Sequence, residues 1–304
     1  MTSMLDRPLK ARTFLELSRR RRVANNVSTV LVSLAMVIAL TPLLLVLCVV
    51  IAKGFKAITS TVWWTHSQAG MTAFVAGGGA YHAIVGTVLL GTVCAVISIP
   101  VGAMVAIYLV EYGGGTLLGR LASFMVDILS GLPSIVAALF VYALCVATLG
   151  LPRSQFAASL ALVLLMLPVI VRATDEMLRI VPVDLREASY ALGVPKWKTI
   201  SRVVIPTGLS GIATGVMLAV ARVMGETAPL LILVGYAQSM NFDVFSGFMG
   251  TLPGMMYDQT SAGAGISPVP TDRLWGAALT LILVIATINI GARVIAKLLG
   301  TRNS

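Results

Sequence analysis

The chain has 304 residues, 58% apolar and only 11% charged, with a mean hydropathy of +0.94. An ordinary soluble domain carries about 25% charged residues, so a soluble fold is excluded and an all-α polytopic membrane protein is indicated. The net charge of +10 is spread over the ends of apolar runs, which orients a membrane protein and offers no nucleic-acid surface.

Residues 1–26 form a basic tail that ends in Arg19-Arg20-Arg21-Arg22. The apolar run behind it, residues 27–52, is far longer than the about 7–15 residues of a signal-peptide core and lacks a small-residue cleavage site, so it reads as an uncleaved first transmembrane helix. Residues 53–81 form an external segment containing Trp63-Trp64, which read as an interfacial belt, and Gly77-Gly78-Gly79. From residue 82 to 300 runs the main body. Its second membrane segment is His82 to Val110 with Pro100 inside, returning the chain at Glu111-Tyr112. Segment three, about 121–149, is interrupted at Gly131-Leu132-Pro133-Ser134, and segment four, about 156–171, contains Pro168. Prolines at that depth require packed neighbours that satisfy the freed carbonyls.

The loop 184–206, DLREASYALGVPKWKTISRVVIP, is a polar island between apolar segments. Asp184 with Glu187 three residues later has the form of a capping box, and Leu185, Ala188, Ala191 and Leu192 continue at helical spacing. Gly193 suits the residue just past a helix end, and Pro195 the first turn of the next. The sequence therefore predicts a helix, a sharp turn and a second helix.

Segment five, about 208–235, carries Arg222-Val-Met-Gly225-Glu226-Thr227-Ala228-Pro229. On a continuous helix Arg222 and Glu226 share a face and meet. Traced back, that face holds Ala219, Gly215 and Gly211, and Gly211-x-x-x-Gly215 lets another helix approach closely. Arg222 lies about 20 Å along the helix from Gly208, where a charge is expensive and marks either a pathway or a paired site. Two readings stand: the two residues neutralise each other and fix register, or Arg222 contacts an anion in transit while Glu226 positions it. Residues 236–273 form an external loop long enough for a short helix or a docking surface, and segment six is about 274–296.

Lys and Arg on the inner side of this arrangement are seven in the tail, Arg120, six from Arg172 to Arg202, and Arg293, Lys297 and Arg302, against Lys53, Lys56, Arg153 and Arg273 outside. The positive-inside rule then gives six transmembrane helices with both termini cytoplasmic. Cys48, Cys94 and Cys145 lie in apolar runs and form no disulfide or metal pattern, and His66 and His82 have no ligand partners nearby in sequence. No phosphate-binding G-x-x-x-x-G-K-[ST] motif occurs, so catalysis and ATP hydrolysis are not expected in this chain.

Glu187-Ala188-Ser189, Gly193 six positions after the Glu, and Ile205-Pro206 resemble the EAA loop of ABC-transporter permeases, with Ser189, Val203 and Ile205 as departures. Further, Pro100-Val-Gly102, Tyr108-Leu-Val-Glu111-Tyr112, Leu132-Pro133-Ser134-Ile135-Val136 and Gly225-Glu226-Thr227-Ala228-Pro229 resemble the A-type permease subunits of bacterial phosphate-specific ABC transporters, densely over about residues 80–235. The resemblance implies a type I ABC importer permease fold in the bacterial inner membrane. It also implies partners: a C-type permease subunit in a heterodimer, two ATPase subunits that bind the ATP and magnesium, and an external phosphate-binding protein. On it, Arg222 and Glu226 are transport-path residues, and Glu187, Ala188 and Gly193 belong to an ATPase-coupling loop. Asp127 is a further path candidate, with an alternative as a carboxylate paired to Arg120 or Arg172. The alternatives to phosphate import are another oxyanion such as sulfate or molybdate, and a self-sufficient secondary transporter, which leaves the EAA-like loop unexplained and predicts inverted repeats that the sequence lacks.

Overall fold

The computed structural model describes residues 19–262 and 267–300, with side chains described to residue 294. The helices, in chain order, are α1 (Arg19–Ile58), the short α2 (Thr61–Thr65), α3 (Tyr81–Ile107), α4 (Leu117–Ser130), α5 (Ser134–Val141), α6 (Gln155–Ile180), α7 (Val183–Ala191), α8 (Lys196–Thr199), α9 (Ile205–Met224), α10 (Ala228–Leu233), α11 (Leu252–Ser261) and α12 (Pro268–Gly300). Single π-helical turns extend α3 (Tyr108–Tyr112) and α5 (Tyr142–Thr148) and join α8 to α9 (Ile200–Val204). No strand occurs among the described residues.

Five helices are long and apolar enough to span a membrane, and α4 with α5 adds a sixth if the pair is one span. That pair differs from a single interrupted helix: the two halves meet at 108°. Pro133 lacks the N–H that a continuous helix would need and disfavours helical backbone at Leu132, so the chain turns at Gly131-Leu132-Pro133. Isolated hydroxyls within the long helices are satisfied by the backbone four residues back, at 2.7–2.9 Å for Thr29, Thr41, Thr87, Thr92, Thr207, Thr214, Thr280 and Thr287. That is what a solvent without hydrogen-bonding capacity demands.

Residues 19–49 of α1 stand as a unit by themselves, without a charged residue from Val27 to Val49. In the larger unit, residues 50–304, the centre is α6, whose Ala157, Ala158, Ala161, Leu162, Met166 and Ile170 are almost wholly buried. Small residues there let α3, α5 and α9 close in around it. Gly211 and Gly215 of α9 lie against Met177 and Ala173 of α6 so tightly that a methyl group at either would collide.

One end of this unit is closed by α2, α11 and the start of α12. Trp63 is 3% exposed and donates to Thr280 Oγ1 at 2.8 Å, so it is a core residue and not part of an interfacial belt; Trp64 remains exposed. Arg273, 4% exposed, donates to the carbonyls of Thr72, Val75 and Gly77 at 3.1, 2.7 and 3.0 Å and pins the loop before α3. His82, buried at the start of α3, is bonded through Nε2 to the Tyr236 hydroxyl at 3.0 Å, and that hydroxyl donates to Gln68 at 3.0 Å. At the other end α7 and α8 are tied by side chains to the ends of α3 and α6.

Candidate functional site

Two places gather the polar groups singled out in the sequence. The first is the loop at the α7 end. The chain enters α7 at Pro182, which takes the N-cap position, so Asp184 lies inside the first turn and makes no capping hydrogen bond. A capping box is absent because helical geometry begins one residue before Asp184; the carboxylate still complements the positive end of the helix dipole. Gly193 adopts φ +74°, the left-handed conformation that ends α7, with the Val194 N–H bonded to the Ser189 carbonyl at 3.2 Å. Pro195 is the N-cap of α8, one position earlier than the first turn. Buried Ser189 and Thr199 share a hydrogen bond of 2.8 Å that closes the two helices on each other. Ser189, which departs from the alanine of the EAA pattern, is thus the residue that fastens the turn.

Outside that hinge the loop is open and exposes large apolar side chains among its charges. Val183, Leu185, Tyr190, Leu192 and Trp197 are exposed, Leu192 by 83%, and Glu187, Ala188 and Gly193 are exposed with them. A shallow depression lined by Leu185, Ala188, Leu192, Pro195 and Val203 runs between α7 and α8. Large apolar side chains on an exposed polar loop mark an interaction surface.

The second place is the end of α9. The helix stops at Met224, with Gly225 N–H bonded to the Arg222 carbonyl at 3.2 Å, and α10 starts at Ala228. Pro229 forces the break, since it has no N–H for the Gly225 carbonyl and its ring would collide with it. Arg222 and Glu226 therefore do not share a continuous helix face, and among the described residues they form no ion pair. Gly211 and Gly215 face α6 and Ala219 is buried, whereas Arg222 falls at the edge of that stripe and is exposed. It follows Thr207, Ser210, Thr214 and Leu218 along the open face of α9, and three of those four carry hydroxyls. Met224 packs beside Gly91 of α3, ten residues after Tyr81, so the break lies about 15 Å along α3 from its start.

Asp127 of α4 is paired with Arg172 of α6, which also donates to Ser123 at 3.4 Å. Glu111, the last charge before the turn out of α3, has no partner that the sequence identifies. Its carboxylate is 5% exposed and paired with Arg186 of α7. Nothing in the sequence joins residues 75 positions apart; the adjacency of Arg186 to Glu187 was the available clue. No cluster of three or more metal-ligating side chains occurs among the described residues.

A family model described as "Binding-protein-dependent transport system inner membrane component" matches residues 98–304. The chain is 54% identical to the phosphate transport system permease protein PstA 1 of Mycobacterium tuberculosis, over 96% of this chain and 94% of that one. It is 38% identical to the phosphate transport system permease protein PstA of Yersinia pestis, over 90% of each. Its fold is similar to a crystal structure of a bacterial ABC transporter involved in the import of the acidic polysaccharide alginate, with a TM-score of 0.59, 12% identity, and 91% of this chain and 96% of that chain covered. The spans, the open apolar loop between α6 and α9 and these likenesses agree: the chain belongs to the binding-protein-dependent inner-membrane transport components, the permease subunits of ABC importers, in which a partner subunit hydrolyses the ATP.

Proposed function

We propose that this chain moves inorganic phosphate inward, as the A-type half of a permease heterodimer with a C-type subunit. In this reading both termini and the loop 184–206 are cytoplasmic, two ATPase subunits bind the nucleotide and magnesium, and an external binding protein delivers the cargo. The observation that carries the proposal is the exposed Arg222 at a helix break deep within the span, on a face of α9 otherwise lined by Thr207, Ser210 and Thr214. A cation at that depth is costly unless it is paired or used. Its planar guanidinium matches two oxygens of a phosphate, and Glu226, just past the break, is the second path residue of this reading. The names of relatives more than half identical in sequence support phosphate over other oxyanions. Asp127 neutralises Arg172, and in this reading it stands beside the path, not in it.

The loop supports the coupling role by its chemistry. Glu187, Ala188 and Gly193 belong to an exposed helix-turn-helix whose apolar side chains lack cover within the described chain. An ATPase groove would bury them.

The test is uptake of radiolabelled phosphate in cells lacking their own high-affinity system and supplied with the intact transporter. Arg222→Ala removes charge-assisted hydrogen bonds worth about 1.5–3 kcal/mol each, so uptake falls about tenfold or more at unchanged membrane abundance and assembly. Arg222→Lys retains a point charge and loses the bidentate fit, giving an intermediate rate. Uptake that survives Arg222→Ala reduces the residue to a structural role, and competition by sulfate or molybdate as strong as by phosphate transfers the proposal to that oxyanion.

A further inference from the structure

The loop 184–206 is fastened to a third helix that the chain path does not require it to touch. Its covalent continuations are α6 before it and α9 after it. Yet Arg186 of α7 is paired with Glu111 at the end of α3, with side chains only 15% and 5% exposed, and its other Nη donates to the Leu178 carbonyl at 2.7 Å. Lys196, the first residue of α8, donates to the Glu111 main-chain carbonyl, and its Nζ stands 4.5 Å from the centre of the Tyr112 ring. Each helix of the loop thus sends one cation to Glu111, and the second also stands over its neighbour Tyr112. Those residues sit in a π-helical turn, a form found mostly as isolated turns and often at functional sites.

A buried ion pair is a poor way to gain stability, because desolvation offsets most of its attraction and a well-packed apolar pair serves as well or better. What it fixes is register. Here it sets the position of α7 against α3, and α3 is the helix that packs beside Met224 at the break carrying Arg222.

We infer that Glu111 is a positioning residue that transmits movement of the ATPase-docked loop into α3, and through α3 to the break beside Arg222. This rests on the reading that the loop docks on the ATPase. Glu111 touches no cargo; it acts through Arg186.

The experiment uses the whole transporter, this chain with its partner subunits, purified and reconstituted in vesicles with the binding protein. Two rates are read on each variant, phosphate transported and ATP hydrolysed, per assembled complex. Glu111→Ala and Arg186→Met are each expected to keep ATP hydrolysis within about twofold of the parent and to lower phosphate moved per ATP at least about fivefold. Their combination is expected to do no more than either alone, as residues acting as one pair behave. Glu111→Gln, which keeps an acceptor for Arg186, retains a larger part of the ratio. If the variants lower assembly and both rates together at a constant ratio, Glu111 is a structural tie and the inference is overturned. Additive loss in the double variant overturns the pairing. Cross-linking of Leu192→Cys to the ATPase in the otherwise parental chain separates the two levels: cross-linking with an unchanged ratio in Glu111→Ala defeats the latch alone, and absence of the cross-link defeats the docking reading and the latch with it.

Discussion

Arg273 shows how one side chain can hold a loop without any regular structure. It is buried and spends its guanidinium on three carbonyls, of Thr72, Val75 and Gly77. Loops leave main-chain acceptors that need partners, and here one cation supplies three. Arg273→Leu removes all of them at once. The expected loss is at least about 1.5–3 kcal/mol, the range for one hydrogen bond to a charged group, seen as a lower thermal unfolding midpoint in detergent and faster proteolysis between residues 66 and 80. Unchanged cleavage of that segment would show that the loop is held by other means. From sequence, Arg273 counts as one of four cations on the outer side, a reading silent about its partners. Trp63 is a similar case: its type fits an interfacial belt, and its burial depends on Gly276 and Thr280, more than 200 residues away in the chain.

At the scale of elements, the glycines of α9 and of the loop act in different ways. Gly215 is short of space: a methyl there would strike the Ala173 side chain. Overpacking of this kind costs about 1–3 kcal/mol, so Gly215→Ala is expected to lower the yield of folded chain. Adding Ala173→Gly should restore that yield by returning the lost gap, and a double variant no better than Gly215→Ala would mean that α6 and α9 do not meet there. Gly193 is not short of space, since a Cβ placed on it meets nothing within 4 Å; its constraint is the backbone angle of φ +74°. A leucine there costs about 1–2 kcal/mol from the left-handed conformation. Gly193→Leu is expected to insert and assemble normally while hydrolysing ATP without moving phosphate, and Gly193→Asn, which tolerates that conformation, to stay near the parent. Equal uptake by Gly193→Leu and the parent would remove the turn from the coupling argument. The turn was legible because Gly193 and Pro195 have one common use in a helical hairpin. The helix starts two residues earlier than the capping-box pattern predicts, since Asp184 serves a helix equally well as a cap or inside its first turn.

Across the molecule, what the sequence discloses follows the range of the interaction that sets it. Runs of apolar residues located every long helix, and the interruption at Gly131-Leu132-Pro133 located the bend, though nothing local specifies 108°. The break in α9 was written in Gly225 and Pro229, and reading the segment as one helix missed it because the apolar content continues through Leu230 and Leu233. Of the contacts between distant elements, the pairing of Asp127 with Arg172 was legible as one of two options, whereas the Glu111–Arg186 pair was not. That pair also limits how the protein can be recombined. A chimera that takes its 184–206 loop from another permease, in order to dock on a foreign ATPase, replaces Arg186 with a residue that has not been matched to Glu111. Residues 108–112 and the loop therefore form one exchangeable cassette in two pieces, and swaps made with the first piece left behind should assemble yet transport poorly.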